Sequence, residues 1–188
     1  MSDTVLVIVD LQNDYFPGGA MELEGAEAAA ERAAAALAEF RRRGWPVFHV
    51  RHLSVRPGAT FFIPGTKGAE IHPKVAPAAG EAVVEKNFPN SFRNTDLRER
   101  LEKAGVKHLV VAGMMTHMCV DATVRQAADL GYRVTLLADA CATRAQSYGG
   151  ENVAAKQVHA AFLAALNGLY AKVVPTAEGV RALEGAKS

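Results

Sequence analysis

Three ionisable side chains of unlike chemistry each follow an apolar run: Asp10 after residues 5–9, Lys86 after 82–85, and Cys119 just past 108–112. Each has a plain structural reading when taken alone. A free cysteine is commonly a small buried apolar group. An aspartate at a strand end caps the next turn, and a lysine is ordinarily solvated. Together they supply what thiol chemistry requires. A thiol needs a base before it attacks, and Asp10 can take that proton and later deliver it to a leaving amine. A nearby cation favours the charged forms of both, and Lys86 is that cation. The three would titrate as one coupled unit.

The stretch Val110-Val111-Ala112-Gly113-Met114-Met115-Thr116-His117-Met118-Cys119-Val120-Asp121 reads as a buried strand, a tight crossing and the first turn of a helix. Unpaired N–H groups and the helix dipole at such a turn favour an anion. The Cys119 pKa is therefore expected to be lowered. A thiolate there would attack a carbonyl, with the oxyanion held by backbone N–H groups of Met115 and Cys119. Water would then cleave the thioester, again with Asp10 as base. This predicts a thiol-dependent hydrolase of C–N bonds in a small molecule.

The elements that must position these groups follow from hydrophobic patterning. Short apolar runs suited to doubly buried parallel strands fall at 5–9, 47–50, 82–85, 108–112, 133–138 and 171–174. Helical spacing covers 27–43, 95–104, 117–130, about 151–166 and 176–183, with Gly149-Gly150 leading into the fourth helix. Residues 53–80 form a long Gly- and Pro-bearing loop of the kind that serves a site. The alternation predicts one α/β domain over 1–188, with three layers and a doubly wound, mostly parallel six-stranded sheet of Rossmann-like topology. Ligands of such sheets bind beyond the carboxyl ends of the strands, where Asp10, Lys86 and Cys119 fall.

Composition narrows the partners. A net charge of +1 over 188 residues gives no field for nucleic acid or an anionic membrane. Two cysteines, Cys119 and Cys141, make neither a disulfide framework nor a zinc pattern. The opening MSDTVLVIVD lacks a basic n-region, and no apolar run reaches membrane-spanning length, so a cytoplasmic chain with reduced thiols is expected.

Three ordered motifs carry a resemblance that extends over nearly the whole chain. They are Val9-Asp10-Leu11-Gln12-Asn13-Asp14-Tyr15-Phe16, then Val84-Glu85-Lys86-Asn87-Phe88 with Asn90-Ser91-Phe92 and Thr95-Asp96-Leu97, then Gly113-Met114-Met115-Thr116-His117-Met118-Cys119-Val120 with Thr123. The chain resembles the isochorismatase-like cysteine hydrolases. That resemblance implies their fold, a catalytic triad of Asp10, Lys86 and Cys119, a non-proline cis peptide between Met114 and Met115, and a homo-oligomer, dimer or larger. The nicotinamidase branch of that family carries a metal-binding Asp-x-His after strand two and a later histidine. Here those positions hold Arg51, Leu53 and Phe61, and His52 with His72 lacks a third partner. No catalytic metal and no cofactor are expected, and nicotinamide is disfavoured. Retention of the thiol argues against vinyl ether hydrolysis of the isochorismatase type, which some enzymes perform without one.

The aromatic residues Tyr15, Phe16, Phe61, Phe62, Phe88 and Phe92 lie in loops after strand ends and could line a pocket or anchor those loops. Arg51 and Arg144 could hold a substrate carboxylate or be salt-bridged. His117, Asp139 and Cys141 read as structural. Two other classes stay open: a non-catalytic small-molecule-binding or scaffold protein, and a nucleotide-binding oxidoreductase. The latter should carry a glycine fingerprint after strand one, where Asp10-Leu11-Gln12-Asn13-Asp14 stands instead.

Overall fold

Six apolar or β-branched runs become six strands of one sheet because each can be buried on both faces. They are β1 (Thr4–Val9), β2 (Val47–His52), β3 (Ala82–Lys86), β4 (His108–Met114), β5 (Arg133–Ala142) and, after a hairpin, β8 (Lys172–Val174). The computed structural model describes residues 2–184; of the expected domain over 1–188, Met1 and 185–188 lie outside the described residues. Strand order is β3-β2-β1-β4-β5-β8, and every pairing is parallel. The order reverses direction at β1, between β2 and β4, which is where a crevice opens in such sheets.

Helices cover both faces. α1 (Ala26–Arg42) and α5 (Thr176–Glu184) pack on one; α2 (Leu97–Lys103), α3 (Asp121–Asp129) and α4 (Ala155–Leu166) pack on the other. α1 buries Ala29, Ala30, Ala33, Ala36, Leu37 and Phe40, a stripe at helical spacing. Small alanines on that stripe let the helix lie close to Leu6, Ile8 and Val110 of the sheet. Among the described residues, no helix is long and apolar enough to cross a membrane.

Two elements depart from expectation. The predicted helix at 117–130 is a π turn, Thr116–Val120, followed by α3. Val120 N–H donates to Met115 O, five residues back, at 3.2 Å. The wider turn rotates the side chains of Thr116–Val120 relative to α3, and apolar periodicity alone does not reveal such a change. The second departure is at Gly149-Gly150, which does not start a helix. It is the two-residue tip of a hairpin between β6 (Gln146–Tyr148) and β7 (Glu151–Val153). Both glycines have positive φ, 59° and 86°, as a type I′ turn demands.

Gly113 is required by close packing. Its φ is 140°, and a Cβ there would lie 2.0 Å from the carbonyl oxygen of Val9 on the neighbouring strand. Gly113→Ala is expected to cost about 3 kcal/mol or more, because both atoms belong to paired strands that cannot separate. Urea unfolding at neutral pH measures it.

Candidate active site

Asp10 ends β1 with a left-handed backbone, φ 52°. Few residues besides glycine adopt this region, and aspartate is among the more tolerant. Val50 O accepts from its N–H at 3.0 Å, and its own carbonyl accepts from Gln12 N–H at 3.0 Å, so the turn is held on both sides. Lys86 ends β3 and is 1% exposed, which overturns its surface reading. Burial is tolerated because Nζ donates to Asp10 Oδ2 at 2.7 Å and to His52 Nδ1 at 2.9 Å. Cys119 stands in the π turn, 5% exposed, and its thiol interacts with both Asp10 and Lys86. A carboxylate oxygen of Asp10, a ring nitrogen of His52 and Cys119 Sγ lie within 4.8 Å of one another. The structure thus brings together the three residues that sequence reasoning singled out, and adds His52.

His52 was legible only as a leftover histidine. The signal that locates it is register: β2 and β3 are parallel, with His52 directly opposite Lys86 as the last pair. Gln12 then clamps the His52 backbone. Gln12 Oε1 accepts from His52 N–H at 2.7 Å, and Gln12 Nε2 donates to His52 O at 2.8 Å. Of the rest of the first motif, Asp14 ties loops by accepting from Ala20 N–H at 3.1 Å and Phe62 N–H at 2.6 Å. The second motif likewise builds scaffold. Ser91 N–H and hydroxyl meet the Thr123 hydroxyl at 3.1 and 2.8 Å, joining the loop after Lys86 to the helix after Cys119.

The electrostatics revise one expectation. Burial pushes the Cys119 thiol well above its ordinary range, the Asp10 carboxylate adds to this, and Lys86 opposes without prevailing. The expected lowering at a helix start does not occur, because the cost of a buried anion exceeds the turn's dipole. Lys86 is held above its ordinary value: burial alone would lower it, and the Asp10 carboxylate, with Cys119 beside it, overcomes that. Burial, with Lys86 beside it, pushes His52 down to about 4. The resting cluster is therefore a neutral thiol beside a carboxylate–ammonium pair and a neutral imidazole. Cys141 is buried too, pushed up to about 12, with Gly113 N–H donating to it.

His108 is also pushed down to about 4, chiefly by burial. Both histidines have folded values below the ordinary 6.5. As pH falls below about 6.5 the unfolded chain takes up protons that the folded chain refuses until about 4, so stability falls across that window. The melting temperature is expected to drop between about pH 7 and about pH 4.5. A flat profile over that window contradicts the two neutral imidazoles.

The peptide bond between Met114 and Met115 is cis. Met115 N–H donates to no acceptor among the described residues. Burial pushes the Tyr15 hydroxyl well above its ordinary range, and Cys119 and Asp10 add to this while the Arg144 charge opposes it. The Tyr15 ring meets Phe62 at 4.7 Å and Phe61 at 6.2 Å, and His52 lies 5.9 Å from Phe62. Three other aromatics have different partners: Phe16 stacks on His72 at 3.8 Å, Arg93 lies over Phe88 at 3.8 Å, and Phe92 stacks on Tyr132 at 6.4 Å. Arg51 pairs with Glu85. Arg144 donates to Met21 Sδ at 3.1 Å and has no carboxylate partner among the described residues. His117 engages the Thr143 hydroxyl, and Asp139 accepts from Thr176 N–H and hydroxyl at 2.6 Å.

The nicotinamidase metal positions do not form a donor set here: Arg51 is paired with an acid, and Leu53 and Phe61 offer no ligand atom. Of the three clustered donors of Asp10, His52 and Cys119, those of Asp10 and His52 accept from the ammonium of Lys86.

Fold and site together define a doubly wound α/β/α hydrolase with a thiol at the carboxyl end of its sheet. The family model described as Isochorismatase domain matches residues 4–178. The YddQ isochorismatase family protein of Bacillus subtilis (strain 168) is 52% identical over 173 residues, covering 92% of this chain and 96% of that protein. The ureidoacrylate amidohydrolase RutB of Variovorax paradoxus (strain S110) is 29% identical over 172 residues, covering 74% and 68%. A crystal structure assigned to the isochorismatase hydrolases, from Oleispira antarctica, superposes with a TM-score of 0.92 at 50% identity, covering 95% and 96%. The chain belongs to the isochorismatase family of hydrolases.

Proposed function

We propose that the chain hydrolyses a C–N bond of a small amide, lactam or carbamoyl compound through a thioester on Cys119. The observation that carries this reading is the buried contact of Lys86 with Asp10 beside the Cys119 thiol. Asp10 Oδ1 is buried and has no hydrogen-bond partner among the described residues, so one carboxylate oxygen is open to accept a proton. As Sγ attacks the carbonyl carbon, its proton passes to Asp10, and Lys86 stabilises the sulfur anion that forms. The carbonyl oxygen takes the negative charge and is met by Met115 and Cys119 N–H groups. Collapse expels the amine, which leaves with the proton from Asp10. Water then attacks the thioester with Asp10 as base, releasing the acid and restoring the thiol.

The raised thiol pKa fits this order of events. Proton transfer to Asp10 accompanies attack, and no standing thiolate is needed. The relative named for amidohydrolysis supports the C–N assignment. An aromatic wall for the substrate would come from Tyr15 and Phe61, whose ring centroids lie 6.2 Å apart. The guanidinium of Arg144, which has no carboxylate partner among the described residues and whose charge reaches Tyr15, suits a carboxylate on the substrate.

The test is a screen of small amides, lactams, carbamoyl compounds and ureas, with and without a carboxylate, read by ammonia or amine release, beside vinyl ethers followed by loss of the substrate. Turnover of at least one class, with an acyl adduct on Cys119 in the intact mass of trapped enzyme, is the expected result. With a carboxylate-bearing hit, Arg144→Ala should raise KM about tenfold and spare kcat. Cleavage confined to vinyl ethers, with no adduct, overturns the reading.

A further inference from the structure

We infer that His52 is a positioning residue of the reaction centre, holding the Lys86 ammonium in the one orientation that serves both Asp10 and Cys119. A lysine ammonium has three N–H donors and no acceptor. In this cluster it donates to two acceptors, Asp10 Oδ2 at 2.7 Å and His52 Nδ1 at 2.9 Å, and its charge acts on the Cys119 thiol. Two fixed donors set the rotation of the ammonium about the Cε–Nζ bond, and with it the direction of the third. With one acceptor removed, a buried N–H has no partner, and the ammonium itself is destabilised.

His52 suits this task by its own environment. It is opposite Lys86 in the strand register, and Gln12 grips its backbone on both sides. Phe62 lies beside its ring. The charged groups that act on it are Lys86 and Arg56, which disfavour its cation, and Asp10, which favours it; burial exceeds them all. Nδ1 therefore presents a lone pair to Lys86 at any working pH, with the ring proton on Nε2. A protonated imidazole would put a second cation against the ammonium. The inference deepens the proposed function and rests on Asp10, Lys86 and Cys119 being the reacting groups. It assigns His52 no contact with substrate.

The experiment compares the wild-type chain with His52→Phe, which keeps an aromatic ring but no acceptor, and His52→Asn, whose Oδ1 can stand where Nδ1 was. The probe is iodoacetamide alkylation of Cys119, located by peptide mass spectrometry, from about pH 6 to about pH 10. This reads the thiol without any amide turnover, so failure of the substrate assignment and failure of this inference are separable. In His52→Phe the alkylation profile should move to higher pH and the rate at neutral pH fall about tenfold or more. His52→Asn should stay within about threefold of wild type. On a substrate that is turned over, the loss in His52→Phe should fall on kcat, with KM little changed. If His52→Phe does not melt cooperatively, His52→Leu takes its place under the same criteria. A non-accepting variant with the wild-type profile, or a His52→Asn as slow as the non-accepting variant, overturns the inference.

Discussion

Cys119→Ala is expected to lower kcat/KM for amide hydrolysis by about 10⁴-fold or more while leaving the fold intact. Covalent catalysis divides one difficult displacement into two easier ones, and without sulfur neither begins. What survives is the carboxylate, the ammonium and the backbone donors, which can bind the amide but cannot acylate. The loss should fall on kcat, since the thiol touches the carbonyl carbon only as the bond forms. Stability should change little. The residue removed is small, and no ionised partner is orphaned, because the resting thiol is neutral and Asp10 keeps Lys86 at 2.7 Å. Cys141→Ser is the control; that sulfur is buried on β5 beside Gly113 and should carry no adduct. Activity measured by amine release and melting followed by circular dichroism check both halves. A Cys119→Ala chain retaining more than about a hundredth of wild-type turnover removes the thiol from the mechanism.

The strands were legible because their burial on both faces leaves an unbroken apolar signature; β1 reads Thr-Val-Leu-Val-Ile-Val and is buried throughout. Asp10 was legible as the first charge after such a run, and Lys86 as the residue that ends the short third one. The π turn was not, because five residues carry too few apolar positions to tell i→i+5 bonding from the ordinary helical period. Nor was the direction of the thiol's shift. Local sequence shows the helix start that stabilises an anion, whereas the burial that destabilises it comes from β-strands and loops far away in the chain. His52 illustrates a third limit. Its chemistry depends on pairing Val47–His52 with Ala82–Lys86 in one particular register, and either strand alone contains no sign of it. The motif residues Gln12, Asp14, Ser91 and Thr123 were conspicuous in sequence, yet their side chains bond to backbone and hydroxyl groups that hold the loops.

Asp10→Asn should abolish turnover to a similar degree and yet make Cys119 more reactive toward an alkylating agent. The two effects have separate causes. Asparagine cannot take the thiol proton or return it to the leaving amine, so both acylation and release lose their acid–base group. The Asp10 charge, however, is one of the influences that hold the thiol pKa up, and Lys86 is the one that lowers it. Removing the carboxylate leaves the ammonium alone beside sulfur, so the thiolate becomes easier to form and alkylation near neutral pH speeds up. Lys86→Met should act in the opposite direction: the carboxylate remains, the cation is gone, and alkylation slows. Stability gives a second handle. Asp10→Asn strands a buried ammonium, which is expected to cost about 3–5 kcal/mol. Adding Lys86→Met removes that uncompensated charge, so the double variant should be more stable than Asp10→Asn while remaining inactive. Alkylation rates of the two single variants moving in the same direction, or a double variant less stable than Asp10→Asn, would show that the buried pair does not control the thiol in the way its geometry indicates.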